Sequence, residues 1–170
     1  DDTISIYDTT RAVGARTVHT PTCVLEGHEG YISSLAYLSP GKLLSTSGDG
    51  TCNLWDVDKR VPDLTCKDHA ADVLCVATAP RGQPLFCTGS VDSKMSLYDA
   101  RIGLVQMFSD QIGDVNAVSF FPDGHGIVSG CSDGTCTFTD LRAMQTISKY
   151  GEGSSSSGVS GVGFSASGRI

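Results

Sequence analysis

Four short stretches repeat along the chain without gaps, and their period limits the possible folds more than any other feature. They run from Asp1 to Asp8, Asp49 to Asp56, Asp92 to Asp99 and Asp133 to Asp140. Each opens on Asp and alternates apolar with polar residues. Each closes on Tyr7, Trp55, Tyr98 or Thr139 followed by another Asp. The opening residues lie 48, 43 and 41 positions apart. A second marker precedes three of them: Gly27-His28, Asp68-His69 and Asp110-Gln111, with the second residue 21, 23 and 22 positions ahead of the following Asp. A unit repeated at this spacing is one supersecondary element that buries its faces only against its neighbours.

Between the markers the pattern has a period of two. Tyr31 to Leu38 alternates and stops at Ser39-Pro40-Gly41. Leu43 to Ser47 is closed by Gly48-Asp49-Gly50, and Thr51 to Asp56 follows, with a more polar stretch around Asp63 to Thr65. The second unit repeats the scheme with Val73 to Ala79, Leu85 to Gly89 and Met95 to Asp99. The third does so with Val115 to Phe121, Ile127 to Ser129 and Thr135 to Asp140. Asp-Gly turns between alternating runs are hairpin signals, and no stretch shows helical spacing. The chain is therefore predicted to be all-β, a single domain with units of roughly 1–26, 27–67, 68–109, 110–150 and 151–170. Gly151 to Gly158 reads as a flexible surface loop, and Val159 to Phe164 restarts the strand pattern. Both ends fall inside a unit, so the sequence is expected to be a piece of a longer protein. Its open arc would expose apolar faces and strand edges if expressed alone.

Composition narrows the function. The formal net charge is −7, with no basic stripe, so binding to nucleic acid or anionic lipid is disfavoured. No apolar run is long enough for a membrane span, and residues 1–4 have neither part of a signal peptide. The seven cysteines form no Cys-x-x-Cys and mostly sit in apolar runs, as reduced buried thiols of a cytoplasmic protein would. No metal-ligand spacing or phosphate-binding glycine loop is present, so neither a metal nor a cofactor is expected.

His28, Ser45, Asp49 and Trp55 can form a polar chain across one unit. The carboxylate fixes the imidazole, the hydroxyl bridges, and the indole N–H finds an acceptor. The second unit offers His69, Thr88, Asp92 and Tyr98. The third keeps Ser129 and Asp133 but has Gln111 and Thr139, so its network should be weaker or different. A hydrolase triad occurs once, beside an oxyanion hole. Here the residues recur with the structural period and no Gly-x-Ser-x-Gly elbow exists, so they are expected to serve folding and no catalytic residue is assigned.

The Gly-His and Trp-Asp marks at this period resemble the WD repeat, which implies a β-propeller blade of four strands per unit. Further motifs carry a narrower resemblance. They include Gly27-His28-Glu29-Gly30-Tyr31-Ile32-Ser33, Thr46 to Cys52 with Leu54-Trp55-Asp56, and Asp114-Val115-Asn116-Ala117-Val118. Phe120-Phe121-Pro122-Asp123-Gly124, Asp140-Leu141-Arg142 and Phe164 to Arg169 continue the series. In this order they are similar to the beta subunit of heterotrimeric G proteins. Departures lie at Thr9 to Thr20, Lys59 to Pro62, Gln111 and Ser132.

The resemblance implies about three full blades plus partial blades at both ends, from the middle of a seven-bladed parent. It implies a non-enzymatic signal transducer that binds a G-protein alpha subunit and effector proteins, and a gamma subunit through parts outside this stretch. It would work at the cytoplasmic face of the plasma membrane, held there by lipid-anchored partners. The alternative is a generic WD-repeat scaffold of another complex. The recognition loop would follow each Gly-His position, which places Tyr31, Asp72, Leu74, Asp114 and Asn116 on the binding rim, with Val91 and Ser132 beside them. Other roles are open: Tyr31 could pack on its own blade, Asp72 and Asp114 could hold loop amides, and Leu74 could be core.

Overall fold

The computed structural model describes residues 2–8, 20–151 and 157–165. The described residues contain strands and turns and no helix. A two-stranded sheet pairs β1 (Thr3–Ile6) with β2 (Cys23–Glu26). Three four-stranded antiparallel sheets follow. The first holds β3 (Ile32–Ser39), β4 (Lys42–Ser47), β5 (Cys52–Asp56) and β6 (Val61–Cys66). The second holds β7 (Val73–Thr78), β8 (Leu85–Ser90), β9 (Met95–Asp99) and β10 (Gly103–Phe108). The third holds β11 (Val115–Phe120), β12 (Gly126–Cys131), β13 (Cys136–Asp140) and β14 (Gln145–Tyr150).

Strands lie in sequence order within each four-stranded sheet, because each is joined to the next by a tight hairpin. The first strands β3, β7 and β11 pack side by side, so the three sheets stand as successive blades around a common inner edge. This is an arc of a WD-type β-propeller. The central strands β5 and β9 are buried along their whole length, so both faces carry apolar residues. The core consequently lies between blades. Ile4, Leu25, Leu43 and Trp55 join the two-stranded sheet to the first blade. Leu44, Leu54, Phe86 and Tyr98 join the first to the second, and Met95, Leu97, Val115 and Ile127 join the second to the third.

Two findings differ from the sequence reading. The strands β2, β10 and β14 carry no clear signal in the sequence, since their outward residues are exposed and mixed in polarity. Val159 to Phe164 forms no strand; it docks instead through the Val159 N–H donated to the Cys131 carbonyl at 2.9 Å, through Val162 against Gly130, and through the Phe164 ring, whose centroid lies 4.9 Å from that of Phe121. The glycine- and serine-rich loop lies mostly outside the described residues.

One turn carries local strain. Gly50 and Gly134 follow the opening Asp of their repeats with φ of 79° and 85°. The second blade has Ser93 at this position, with φ of 63°. A side chain in the left-handed region costs about 1–2 kcal/mol where glycine is at ease. Ser93→Gly relieves that strain but loosens the unfolded chain, so a net gain of about 0.5–1 kcal/mol is expected in chemical denaturation. An unchanged or lower midpoint would contradict it.

Candidate functional site

Each blade carries a polar network at the end where the first marker sits. In the first blade the structure brings His28, Ser45, Asp49 and Trp55 together. His28 Nδ1 lies 2.9 Å from Asp49 Oδ2, and Nε2 lies 2.7 Å from Ser45 Oγ. The Trp55 indole N–H donates to the same Ser45 oxygen at 2.8 Å. This network assigns the tautomer. His28 donates from Nδ1 to the carboxylate, and the Ser45 hydroxyl donates to Nε2 while accepting from Trp55. The turn is tied in as well, since Asp49 also accepts the Glu29 N–H at 2.9 Å and the Thr51 N–H at 2.9 Å and hydroxyl at 2.6 Å.

Burial works to raise the Asp49 pKa. The hydrogen bonds from the Thr51 hydroxyl, the Glu29 amide and His28 outweigh burial and hold it at about 2, against an ordinary 3.8. A carboxylate depressed on folding contributes stability that is present above its unfolded value and lost as the pH falls through its folded value. Asp49 should therefore withdraw about 2 kcal/mol of stability between roughly pH 4 and pH 2. Denaturation of the full-length protein across that range should show a shallower acid dependence in Asp49→Asn than in the parent. Identical slopes would contradict the assignment.

In the second blade His69 Nδ1 lies 3.1 Å from Asp92 Oδ2, and Nε2 lies 2.8 Å from Thr88 Oγ1. Tyr98 does not complete this set, which corrects the sequence reading. Its ring stacks on the cross-strand Phe86, with centroids 5.0 Å apart and planes at 13°. That stacking leaves the hydroxyl without a hydrogen-bond partner. Burial pushes the Tyr98 pKa far above its ordinary value, so the phenol stays neutral. In the third blade Gln111 Nε2 donates to Ser129 Oγ at 3.1 Å, while Gln111 Oε1, Asp133 Oδ2 and Thr139 Oγ1 are buried without partners.

The rim above these networks repeats in its backbone. The carbonyls of Tyr31, Asp72 and Asp114 accept the N–H of Gly48, Val91 and Ser132, respectively, at 2.9–3.0 Å. The three residues thus occupy the same place on successive blades. The Tyr31 ring lies over Gly48, where a Cβ would come within 2.2 Å of it. Its hydroxyl crosses to the next blade and donates to Asp72 Oδ2 at 2.8 Å. This bond raises the Tyr31 pKa above its ordinary value. Tyr31 is 49% exposed despite both contacts, and Val91 is exposed beside Asp72. The Asp114 amide is held by Ser132 Oγ at 2.9 Å.

Leu74 and Asn116 sit differently. Each is the residue that a bulge leaves unpaired in β7 and β11, as Ser33 is in β3. Leu74 is half-buried. The Asn116 side chain donates to the Val159 carbonyl at 3.1 Å, which turns it toward the following segment and away from the rim. Ser33 likewise donates to the Val73 carbonyl. Leu74 has no donor to offer, and the adjacent Cys75 thiol reaches the Val115 carbonyl at 3.5 Å instead. Burial pushes the Cys75 thiol up to about 12, so it stays protonated and able to donate. The sequence gives no sign of these inter-blade struts, whose partners are 40 or more residues away.

Among the described residues no group of His, Cys, Asp and Glu could hold a metal ion. Nor do the described residues contain a helix long and apolar enough to cross a membrane.

Comparison with known proteins converges on this architecture. Residues 19–56, 60–99 and 103–140 match the family model described as WD domain, G-beta repeat. A Guanine nucleotide-binding protein subunit beta from Arabidopsis thaliana is 37% identical over 159 residues, covering 86% of this chain and 42% of that protein. One from Solanum tuberosum is 33% identical over 183 residues, with 100% and 48% covered. One from Zea mays is 37% identical over 161 residues, with 86% and 42% covered. The chain spans a little under half the length of these relatives. Each matched repeat ends on the Asp that closes the third strand of a blade, at Asp56, Asp99 and Asp140, and together they cover more than half of the residues: this chain belongs to the WD-repeat family.

Proposed function

We propose that this chain is part of a G-protein beta-type subunit, a non-enzymatic transducer that binds an alpha subunit and effector proteins through the rim at Tyr31, Asp72 and Asp114. The observation that carries the reading is the Tyr31–Asp72 pair. A half-exposed aromatic ring is fixed on one side by Gly48 and on the other by a carboxylate of the next blade. Such a ring loses little freedom on binding, and rigid aromatics ringed by polar groups dominate protein interfaces. The names of the relatives support the same reading. Leu74 stands just below this rim and contributes through its exposed part, whereas the amide of Asn116 is already engaged. A gamma subunit would associate through other parts of the protein, and lipid-anchored partners would hold the assembly at the cytoplasmic face of the plasma membrane.

The test is affinity for an alpha subunit in its GDP form, measured beside melting temperature in the full-length protein. Tyr31→Ala is expected to weaken binding by about 2 kcal/mol or more, roughly thirtyfold, with little change in melting temperature. Asp72→Asn and Asp114→Asn are expected to weaken it with reduced salt dependence. Parent-like affinity in all three, or losses that only follow melting temperature, would sink the proposal.

A further inference from the structure

The first blade holds two cysteines directly opposite one another. Cys52 opens β5, Cys66 closes β6, and the two are cross-strand partners in the antiparallel register. Among the described strands no other cysteine faces a cysteine. The same register position carries Met95 with Phe108 in the second blade and Cys136 with Tyr150 in the third, so the blade architecture does not require a thiol pair there. Opposed residues project from the same face of a sheet, and both cysteines belong to the buried cluster between the first and second blades. Directly opposite residues stand about 4.5–5.5 Å apart at Cα, inside the range of about 4.4–6.8 Å that a disulfide spans. Both thiols are free, and they are 1% and 5% exposed.

The strand β6 controls access to them. It is the edge strand of its sheet, bonded to β5 alone, and most of its residues are exposed. A strand with so little buried surface opens more readily than the strands behind it. While β6 is closed, burial pushes the Cys66 thiol up to about 12 and holds Cys52 well above the ordinary thiol range, so both are protonated and unreactive. Opening of β6 returns Cys66 to water and to ordinary thiol chemistry.

We propose that Cys52 and Cys66 form a peroxide-responsive dithiol that closes to a disulfide and staples β6 to β5. In the open strand the Cys66 thiolate attacks hydrogen peroxide. The O–O bond breaks, an S–O bond forms, and the released hydroxide takes up a proton as water. When β6 pairs again, the sulfenic acid stands opposite Cys52. The Cys52 sulfur attacks the Cys66 sulfur, an S–S bond forms, the S–O bond breaks, and hydroxide leaves with the thiol proton as a second water. Two electrons have passed from the two thiols to the peroxide. The chain runs directly from Cys66 into Lys67, Asp68 and His69, so the staple fixes the point where it enters the second blade.

The experiment treats the full-length protein with hydrogen peroxide and maps its peptides by mass spectrometry without reductant. A linked peptide joining Cys52 to Cys66, two hydrogens lighter than the free pair and reversed by dithiothreitol, is expected. Hydrogen exchange at the β6 amides should slow by about tenfold or more in the linked form. In Cys52→Ala, Cys66 should instead remain a sulfenic acid that a cyclic diketone traps. The peptide map of the parent decides the pairing even if that variant fails to fold. No linkage after peroxide treatment, or linkage of either residue to a different cysteine, would overturn the proposal. Unchanged β6 exchange in the linked form would overturn the staple.

Discussion

Trp55→Ala is expected to lower the stability of the full-length protein by about 3–5 kcal/mol, the range for emptying a buried tryptophan site. Trp55 is fully buried and packs between the two-stranded sheet and the first blade, against Ile4, Leu25 and Leu43. Its indole N–H also ends the chain of hydrogen bonds that starts at Asp49. Trp55→Phe separates the two contributions. It keeps most of the ring packing and removes the donor, so a smaller loss of about 1–3 kcal/mol is expected. Urea denaturation of both variants measures the difference. A loss in Trp55→Phe equal to that in Trp55→Ala would mean that packing contributes nothing. No loss in either would remove Trp55 from the core.

Gly89→Ala should destabilise by about 3 kcal/mol, at the upper end for overpacking. A Cβ there would stand 2.5 Å from Val115 Cγ1 and 2.7 Å from Cys75 Sγ, and both residues are buried. Val115 belongs to the next blade, so relief requires the two blades to separate. Gly130 repeats the geometry one blade on, with Val159 Cγ1 at 2.5 Å, whereas the first blade has Thr46, whose hydroxyl pairs with Ser33. Thermal melts of Gly89→Ala beside the exposed Gly163→Ala distinguish the contact from a generic glycine effect, because a Cβ at Gly163 meets nothing within 4 Å and its backbone is not left-handed. Equal shifts in the two variants would show that close blade packing is not the cause.

The inner three strands of each blade were legible in the sequence because each is buried on a regular pattern and ends at a turn with its own chemistry. β9 begins and ends at Met95 and Asp99, where the alternation places it. β10 was not legible: Leu104 and Val105 are consecutive, apolar and exposed, and a bulge between Leu104 and Gln106 breaks the period of two. The first network could be read from four residue types at fixed offsets. The second could not be read in full, since an aromatic at the position of Trp55 does not reveal whether its polar atom reaches inward. Phe86 decides this for Tyr98, and it becomes visible only when the strands are paired. Asn116 was misplaced for a related reason. A polar residue two positions past a loop looks available until the bulge aims it at a carbonyl far along the chain.

Every member of a given network comes from one blade or from the loop leading into it, and none is borrowed from a neighbour. Damage to one network is therefore contained. The third blade leaves five of its buried side-chain oxygens without a partner, yet Asp49 and Asp92 keep their full sets of donors. A chain organised this way can vary one module at a time, trying new side chains at 111, 132 or 139 while the remaining modules hold the architecture. Compartments of this kind let a binding face diversify blade by blade without the whole ring having to be reinvented.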